Sequence, residues 1–169
     1  EMMAERKNLV KILILLDIGG SMDEWIKTCT ELFSAARSEF KNLEYFYFHN
    51  CIYDSVWRDN YRRNINKMNI FDLINTYSPD WKVIFVGDAS MSPYEISMVG
   101  GCIENWNEEP GYVWIKRILD TFEKSVWLNP IKEDYWNYSP SINMIKELLQ
   151  NKMFPLTLSG IDKAISELQ

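Results

Sequence analysis

Residues 9–16 read LVKILILL, and residues 17–23, which follow directly, read DIGGSMD. An almost continuous run of leucine and β-branched residues is typical of a β-strand that is buried on both faces. Residues 83–86, VIFV, form a second run of this kind and end at Gly87 and Asp88. Strands buried on both faces need helices on both sides of the sheet, so the two runs predict a parallel sheet inside an α/β fold.

Helix-like segments alternate with the strand-like ones along the chain. Apolar residues recur at steps of three and four from Met22 to Phe40, which predicts an amphipathic helix after the first strand. Two short aromatic or β-branched runs, residues 45–49 and 52–57, predict an antiparallel hairpin. Further strands are predicted at 125–128 and 153–156, and further helices at about 70–77, from Ser92 onward, and at 113–122, 141–149 and 158–168. We therefore expect a doubly wound, three-layer α/β/α fold with a mainly parallel, Rossmann-like sheet and one antiparallel edge strand.

The length and composition fit a single folded domain. The chain has 169 residues, 47% of them apolar and 14% aromatic, which excludes a disordered segment. We expect one domain over residues 1–169 with its core at about 8–168, and the start at Glu1 leaves open that this is the C-terminal part of a longer protein. The net charge of −6 argues against nucleic acid as a partner, since a phosphate backbone needs a basic face.

The sequence predicts a cytoplasmic protein. No run approaches about 20 consecutive apolar residues and no signal peptide is visible, so neither a membrane span nor export is expected. The three cysteines, Cys29, Cys51 and Cys102, are an odd number without CxxC spacing. This pattern favours reduced thiols in a reducing compartment over a disulfide framework or a zinc site.

The loops after the two buried strands carry the clearest functional signal. Asp17 ends the first strand, Ser21 follows it beyond two glycines, and Asp88 follows the second strand. Ligands of open α/β sheets bind beyond the carboxyl ends of the strands, so these side chains share one rim if the strands are neighbours. Two adjacent carboxylates repel each other unless a proton or a cation relieves them, and hard divalent cations prefer oxygen ligands. Helix capping by Ser21 and a solvated strand end would explain the same residues without a metal.

At these residues the chain resembles the von Willebrand factor A domain and its metal-ion-dependent adhesion site. That site has Asp-x-Ser-x-Ser after the first strand, a threonine in a later loop and an aspartate after the fourth strand. Asp17 matches the first aspartate, Ser21 the second serine and Asp88 the late aspartate, and the order of elements over residues 8–168 fits. Three segments are similar to the bacterial CoxE-like branch of these proteins: LLDIGGSMDEW (15–25), YFHNCIYDSVWRDNYRR (47–63) and IFVGDASMSPYEI (84–96).

The resemblance implies a metal site made of Asp17, Ser21 and Asp88, with two departures from the family pattern. Gly19 stands where the family has its first serine, and no threonine lies in the loop before the next predicted helix after the hairpin. Asn69 is the candidate for the threonine's place, because its amide oxygen could replace the hydroxyl, and a water could fill the gap at Gly19. Both changes are expected to weaken the site, which would hold Mg²⁺, or else Mn²⁺ or Ca²⁺.

The function that the resemblance implies is protein binding rather than catalysis. In sites of this family the cation has a free position that an acidic side chain of the partner fills. Members of the CoxE-like branch are intracellular and often accompany MoxR-type AAA+ ATPases, which implies a role in the assembly or maturation of another complex. The residues expected to flank the partner surface are Gly19, Met22, Ser90, Trp106 and Glu108.

Two other functions stay open. A strand-end aspartate followed later by Gly-Asp also resembles the site of haloacid-dehalogenase-type, Mg-dependent phosphotransferases, although Gly19 removes the second carboxylate of their Asp-x-Asp motif. The same fold with an inactive metal site could instead bind partners through Arg58, Arg62 and Arg63, which are interleaved with aromatic residues.

The motifs disfavour other chemistry. The Gly-x-Ser-x-Gly elbow of serine hydrolases is absent, and neither a Gly-Lys-Ser/Thr phosphate loop nor a Gly-x-Gly-x-x-Gly fingerprint occurs. The only histidine, His49, is predicted to be a hydrogen-bonded structural residue. Trp127 and Trp136 are predicted to lie in or near the core.

Overall fold

The computed structural model describes residues 10–36, 40 and 42–169. The predicted strand start at Leu9 and the part of the first predicted helix at residues 37–39 lie outside the described residues. The strands are β1 (Lys11–Asp17), β2 (Asn42–Phe48), β3 (Ser55–Trp57), β4 (Lys67–Asn69), β5 (Lys82–Val86), β6 (Ser125–Asn129) and β7 (Met153–Pro155). The α-helices are α1 (Ile26–Ala36), α2 (Ile70–Thr76), α3 (Pro93–Ser97), α4 (Gly111–Thr121), α5 (Pro140–Leu148) and α6 (Leu158–Leu168), and 3₁₀ turns cover Gly20–Met22, Asn64–Asn66 and Glu133–Tyr138. Among the described residues, no helix has the length and apolar character required to cross a bilayer.

One sheet holds these strands in the order β4-β3-β2-β1-β5-β6-β7. The central strand β1 pairs in parallel with both β2 and β5, and β6 and β7 continue the parallel pairing beyond β5. The strand β3 runs antiparallel to its neighbours β2 and β4. The predicted α/β fold, with a mainly parallel sheet and antiparallel pairing at one edge, is therefore confirmed.

The alternation of side chains along β1 divides the core into two layers. Leu13 and Leu15 belong to the layer that helices α2 to α5 cover. Ile12, Ile14 and Leu16 belong to the layer that α1 and α6 cover. Successive residues of a strand point to opposite faces, so a strand that is apolar throughout needs a helical layer on each side. This arrangement is the doubly wound, three-layer fold that the sequence predicts.

The first helix begins later than the apolar spacing predicts. The chain makes a 3₁₀ turn at Gly20–Met22 and enters α1 at Ile26. Gly19 and Gly20 have positive φ angles of 85° and 56°, a conformation that glycine adopts readily and that turns the chain away from β1. The apolar stripe therefore spans a turn and a helix, which periodicity alone does not separate.

The hairpin after the first helix is present and continues into a third strand. The strand β2 pairs with β3, and β4 forms an edge strand in the polar segment 58–69, where the sequence predicts none. Met68 of β4 is half-buried while its two neighbours are exposed, and so short an edge strand leaves little hydrophobic pattern in the sequence. The other predicted elements are present, with ends that differ by a few residues.

Trp127 links the core to the edge of the sheet at which β5 ends. Its ring stacks on Phe85 with the ring centroids 5.3 Å apart, and its Nε1–H donates to the carbonyl of Gly87 at 2.8 Å. Trp127 and Trp136 are each 1% exposed, so their predicted place in the core is confirmed. Because Gly87 precedes Asp88, the indole holds in place the backbone that carries this aspartate.

We expect Trp127→Phe to lower the free energy of unfolding by about 2 kcal/mol, because it removes part of a buried ring and leaves the Gly87 carbonyl without its donor. The same substitution at Trp106, which is 75% exposed, is the matched control and should change stability by less than about 0.5 kcal/mol. Urea denaturation measures both values. Equal losses in the two variants would contradict a special role for Trp127.

Candidate functional site

The parallel pairing of β1 with β5 brings Asp17 and Asp88 to the same edge of the sheet. Asp17 is the last residue of β1, and Asp88 follows the end of β5 by one glycine. The two residues are 1% and 3% exposed. Gly87 allows the end of β5 to approach Asp17 closely, since a Cβ at this position would lie 2.9 Å from the Cβ of Asp17, and the Asp88 carboxylate is near enough to raise the pKa of Asp17. The structure thus brings together the two carboxylates that the sequence singles out.

Hydrogen bonds orient both carboxylates. The backbone N–H of Asn50 donates to Asp17 Oδ1 at 2.9 Å, and that of Ser90 donates to Asp88 Oδ1 at 3.0 Å. The Ser21 hydroxyl donates to Asp88 Oδ2. Oxygen-bearing side chains from β1, from the turn after it and from the loop after β5 therefore meet at one rim of the sheet.

Burial makes the charged form of Asp17 unfavourable. Desolvation raises the pKa of its carboxyl well above the usual value, and the nearby carboxylates of Asp88 and Glu95 raise this pKa further. The Asn50 N–H and the Arg62 guanidinium act in the opposite direction without cancelling the shift. A proton or a cation beside the two aspartates would therefore stabilise this rim.

The loop after β1 packs against His49. Its Nδ1–H donates to the carbonyl of Ile18 at 2.6 Å, which confirms the prediction of a hydrogen-bonded structural histidine. A Cβ on Gly19 would lie 3.2 Å from this Nδ1, and the φ angle of 85° at Gly19 disfavours any side chain. The missing hydroxyl at position 19 thus coincides with a backbone conformation that does not suit serine.

The carboxylate and hydroxyl oxygens that meet at the rim suit a hard divalent cation. Carboxylate and hydroxyl oxygens are the ligands that Mg²⁺ and Ca²⁺ prefer, and Mg²⁺ usually keeps several waters. Within residues 10–36, 40 and 42–169, no group of three or more His, Cys, Asp or Glu side chains is arranged to hold a metal ion. A cation at this rim would therefore depend on Asp17, Asp88, the Ser21 hydroxyl and water.

The structure places Asn69 away from the other three residues. It ends β4, and β3 and β2 lie between that strand and β1, which is a distance of about 14 Å at ordinary strand spacing. Its side-chain oxygen accepts the N–H of Phe71 and caps helix α2. Asn69 as a fourth metal ligand is therefore corrected to a helix cap, because its oxygen satisfies one of the unpaired N–H groups at the helix start.

The residues expected to flank a partner surface differ in exposure. Met22 is fully buried at the end of its 3₁₀ turn, so the expectation that it contacts a partner is corrected. Gly19 is half-buried, Ser90 and Glu108 are exposed, and Trp106 is 75% exposed. These four residues remain within reach of a partner.

The arginines of segment 58–63 are held by carboxylates of the same chain. Arg62 donates two hydrogen bonds to the Glu104 carboxylate, at 2.9 and 3.4 Å. The other two lie within ion-pair distance of an acidic residue, Arg58 of Glu44 and Arg63 of Asp59. These pairs reduce the positive charge that the segment presents to a polyanion.

Glu95 is a functional candidate that sequence reasoning missed. It is 2% exposed and lines a cavity of about 450 Å³, together with His49. Burial raises the pKa of its carboxyl, and hydrogen bonds from the Asn50 side chain and from the backbone N–H groups of Ile103 and Ser92 only partly oppose this shift. A glutamate three residues after a capping serine is usually a solvent-exposed helix-start residue, so the spacing from Ser92 gives no signal of burial.

Comparisons with protein-family models, with curated proteins and with solved structures find no match to this chain. The likeness to the von Willebrand A domain therefore remains a resemblance carried by the residues around Asp17, Ser21 and Asp88. Fold alone does not determine function, which depends here on the side chains at the rim.

Asp17→Asn should raise the free energy of unfolding at about pH 7, without divalent cations, by about 1 kcal/mol. The folded-state pKa of Asp17 lies above its unfolded value. The stability that its protonated form contributes is therefore complete below the unfolded pKa and is lost as the pH rises through the folded pKa. Asparagine keeps an oxygen for the Asn50 N–H and has no charge to bury. Urea denaturation in EDTA measures the difference.

The advantage of Asp17→Asn should shrink as the pH falls through the raised pKa of Asp17 and should be lost below about pH 4, where the carboxyl is protonated in the folded and unfolded states alike. Asp80→Asn is the matched control, because a hydrogen bond from Ser78 holds the pKa of this exposed aspartate below its usual value. This control should bring no gain in stability at neutral pH. An Asp17→Asn variant that is less stable than the wild type at every pH would refute the electrostatic interpretation.

Gly19→Ser should lower the free energy of unfolding by about 1 kcal/mol and should not strengthen the binding of Mg²⁺. The reason is the positive φ at Gly19 and the contact of a new Cβ with the His49 ring. Gly19→Ala has the same strain without the hydroxyl and is the control. Thermal denaturation and calorimetric titration compare the two variants. Tighter Mg²⁺ binding by the serine variant than by the alanine variant would mean that the loop does accept a serine ligand.

Proposed function

We propose that this chain is a non-enzymatic binding module of the von Willebrand A type. In this proposal the rim at Asp17, Ser21 and Asp88 holds a divalent cation, and through it an acidic side chain of a protein partner. The observation that supports the proposal most is the meeting of these three side chains, from three segments, at one rim of the sheet. Each of the three side chains carries an oxygen that can bind a metal ion.

The three residues contribute in different ways. Asp17 and Asp88 are buried, the N–H groups of Asn50 and Ser90 orient them, and a bound cation would offset the cost of burying their charge. Ser21 is exposed and supplies a hydroxyl at the surface. Mg²⁺, or Mn²⁺ or Ca²⁺, would supply the positive charge that attracts a carboxylate. A partner carboxylate would then be paired as it leaves water, which gives both affinity and selectivity.

Exposed side chains support a protein as the partner. Trp106 is 75% exposed, and tryptophan is enriched among the few residues that dominate binding energy in interfaces. Ser90 follows Asp88 closely and is exposed, as is Glu108. In line with the resemblance, the partner would be a cytoplasmic MoxR-type AAA+ ATPase or a complex whose assembly that ATPase assists.

Mg²⁺ or Mn²⁺ at about ten times its Kd should raise the Tm of the wild-type chain by roughly 3–5 °C. Ser21→Ala and Asp88→Asn should lose most of this increase, because each removes an oxygen donor. Ser90→Ala is the matched control and should keep the increase, since Ser90 contacts Asp88 through its backbone N–H. Thermal denaturation measures the increase, and calorimetric titration gives the Kd.

An unchanged Tm in the wild type, or the same increase in Ser21→Ala, would rule out the metal site.

With the cation bound, a glutamate-containing peptide should bind more tightly than its glutamine version. Equal binding of the two peptides would contradict the proposal that the partner binds through an acidic side chain. Hydrolysis of a generic phosphoester by the wild type but not by Asp17→Asn would instead favour the phosphotransferase.

A further inference from the structure

The cavity next to the rim is large enough for a small molecule. Its volume is about 450 Å³, within the usual range for ligand sites. Residues of β3, of the segment after β2 and of the loop between α3 and α4 form its walls. His49 also belongs to the lining, so the cavity adjoins the loop after β1 without including Asp17, Ser21 or Asp88.

Two residues of the cavity lining each carry a buried polar atom without a partner. In the described part of the chain, Glu95 Oε2 and Trp57 Nε1 are the buried side-chain nitrogen and oxygen atoms that lack a hydrogen bond. Both residues line the cavity, and Glu95 is 2% exposed. Most buried polar side-chain atoms in proteins have a partner, so two such atoms on residues of one lining favour a bound group. One atom accepts and the other donates, so that group needs a donor and an acceptor.

The charge of the lining favours a cation. Five carboxylates line the cavity, namely those of Asp54, Glu95, Glu104, Glu108 and Glu109. Ion pairs with Arg62 and Arg117 neutralise two of them, Glu104 and Glu109. Three carboxylates then remain against Lys67 in the same lining. An anionic ligand would be repelled by this excess, whereas an ammonium group would reduce it.

Aromatic side chains complete the walls. Trp57, Trp106 and Trp114 line the cavity, and the face of a tryptophan ring attracts cations. Arg117 lies 4.4 Å from the centroid of the Trp114 ring and Arg62 lies 5.8 Å from that of the Trp57 ring, so two of these rings already contact a positive charge. Trp106 is 75% exposed, which puts it at the entrance, where its ring can cover a ligand.

We propose that this cavity binds a small primary amine that also carries an oxygen acceptor. The ammonium group donates to Glu95 Oε2, and Trp57 Nε1–H donates to the oxygen of the same ligand. The Tyr53 hydroxyl donates to the carbonyl of Glu95 at 3.0 Å and holds this part of α3 against the cavity wall. The site goes beyond the proposed function and does not depend on a cation at Asp17, Ser21 and Asp88.

Ethanolamine is the probe, because it has one ammonium group and one hydroxyl oxygen. It is titrated into the nitrogen-15-labelled chain while the indole N–H signals are followed by NMR, with the Trp57 signal assigned through Trp57→Phe. We expect a saturable shift of the Trp57 signal with a Kd of about 0.1–10 mM, which is reasonable for so small a ligand.

Glu95→Gln tests the anchor, since it keeps the shape of the side chain and removes its charge. Binding of ethanolamine should weaken at least about tenfold, because a charge-assisted hydrogen bond is lost. Glu123→Gln removes the same charge from an exposed carboxylate outside the lining and should change the Kd by less than about twofold. Glu95→Gln is expected to fold, because an amide is easier to bury than a carboxylate, and circular dichroism checks both variants.

Two further probes separate the contacts. Ethylene glycol lacks the ammonium group and propylamine lacks the oxygen, so both should bind more weakly than ethanolamine. Absence of a saturable shift of the Trp57 signal with ethanolamine would overturn the proposal and mean that the cavity holds water only. Equal binding of ethanolamine and ethylene glycol, or unchanged affinity in Glu95→Gln, would overturn it as well.

Discussion

The close parallel packing of β1 against β5 is the constraint on which the rim depends. It brings Asp17 against Gly87 and buries it beside Asp88, so that two acidic groups are buried side by side. Hydrogen bonds from Asn50 and Ser90 orient these carboxylates but do not remove their repulsion. A ligand at this edge of the sheet would therefore be selected by its positive charge more than by its shape.

No carboxylate of the rim belongs to the cavity lining, but charged groups of the two regions lie close enough to interact. His49 bonds to the loop after β1 through Nδ1, and its Nε2 lies 3.6 Å from the Glu104 carboxylate of the cavity lining. Glu95 also acts across this boundary, since its carboxylate raises the pKa of Asp17. A positive group that binds at Glu95 would thus also affect the charge balance at Asp17.

Sequence patterns predict the parts of this molecule that depend on near neighbours in the chain. The run at residues 9–16 is apolar at every position but one because β1 is covered on both faces, and this alone indicates a parallel sheet. Local patterns do not predict where a residue lies when contacts with distant parts of the chain determine its position. Met22 belongs to an apolar stripe yet lies in a turn, and Asn69 is chemically a suitable ligand yet lies three strands from β1.

Local patterns predict most of the strands and helices, and show that oxygen-bearing residues follow two of the buried strands, because these properties depend on periodicity and turn residues within a short window. The folded structure, in contrast, makes β1 and β5 neighbours and buries Asp17 beside Asp88. It also brought Trp57 and Glu95, which are far apart in the chain, into the lining of one cavity. Strand order and loop packing set these contacts, and they act between residues whose separation in sequence leaves no local pattern.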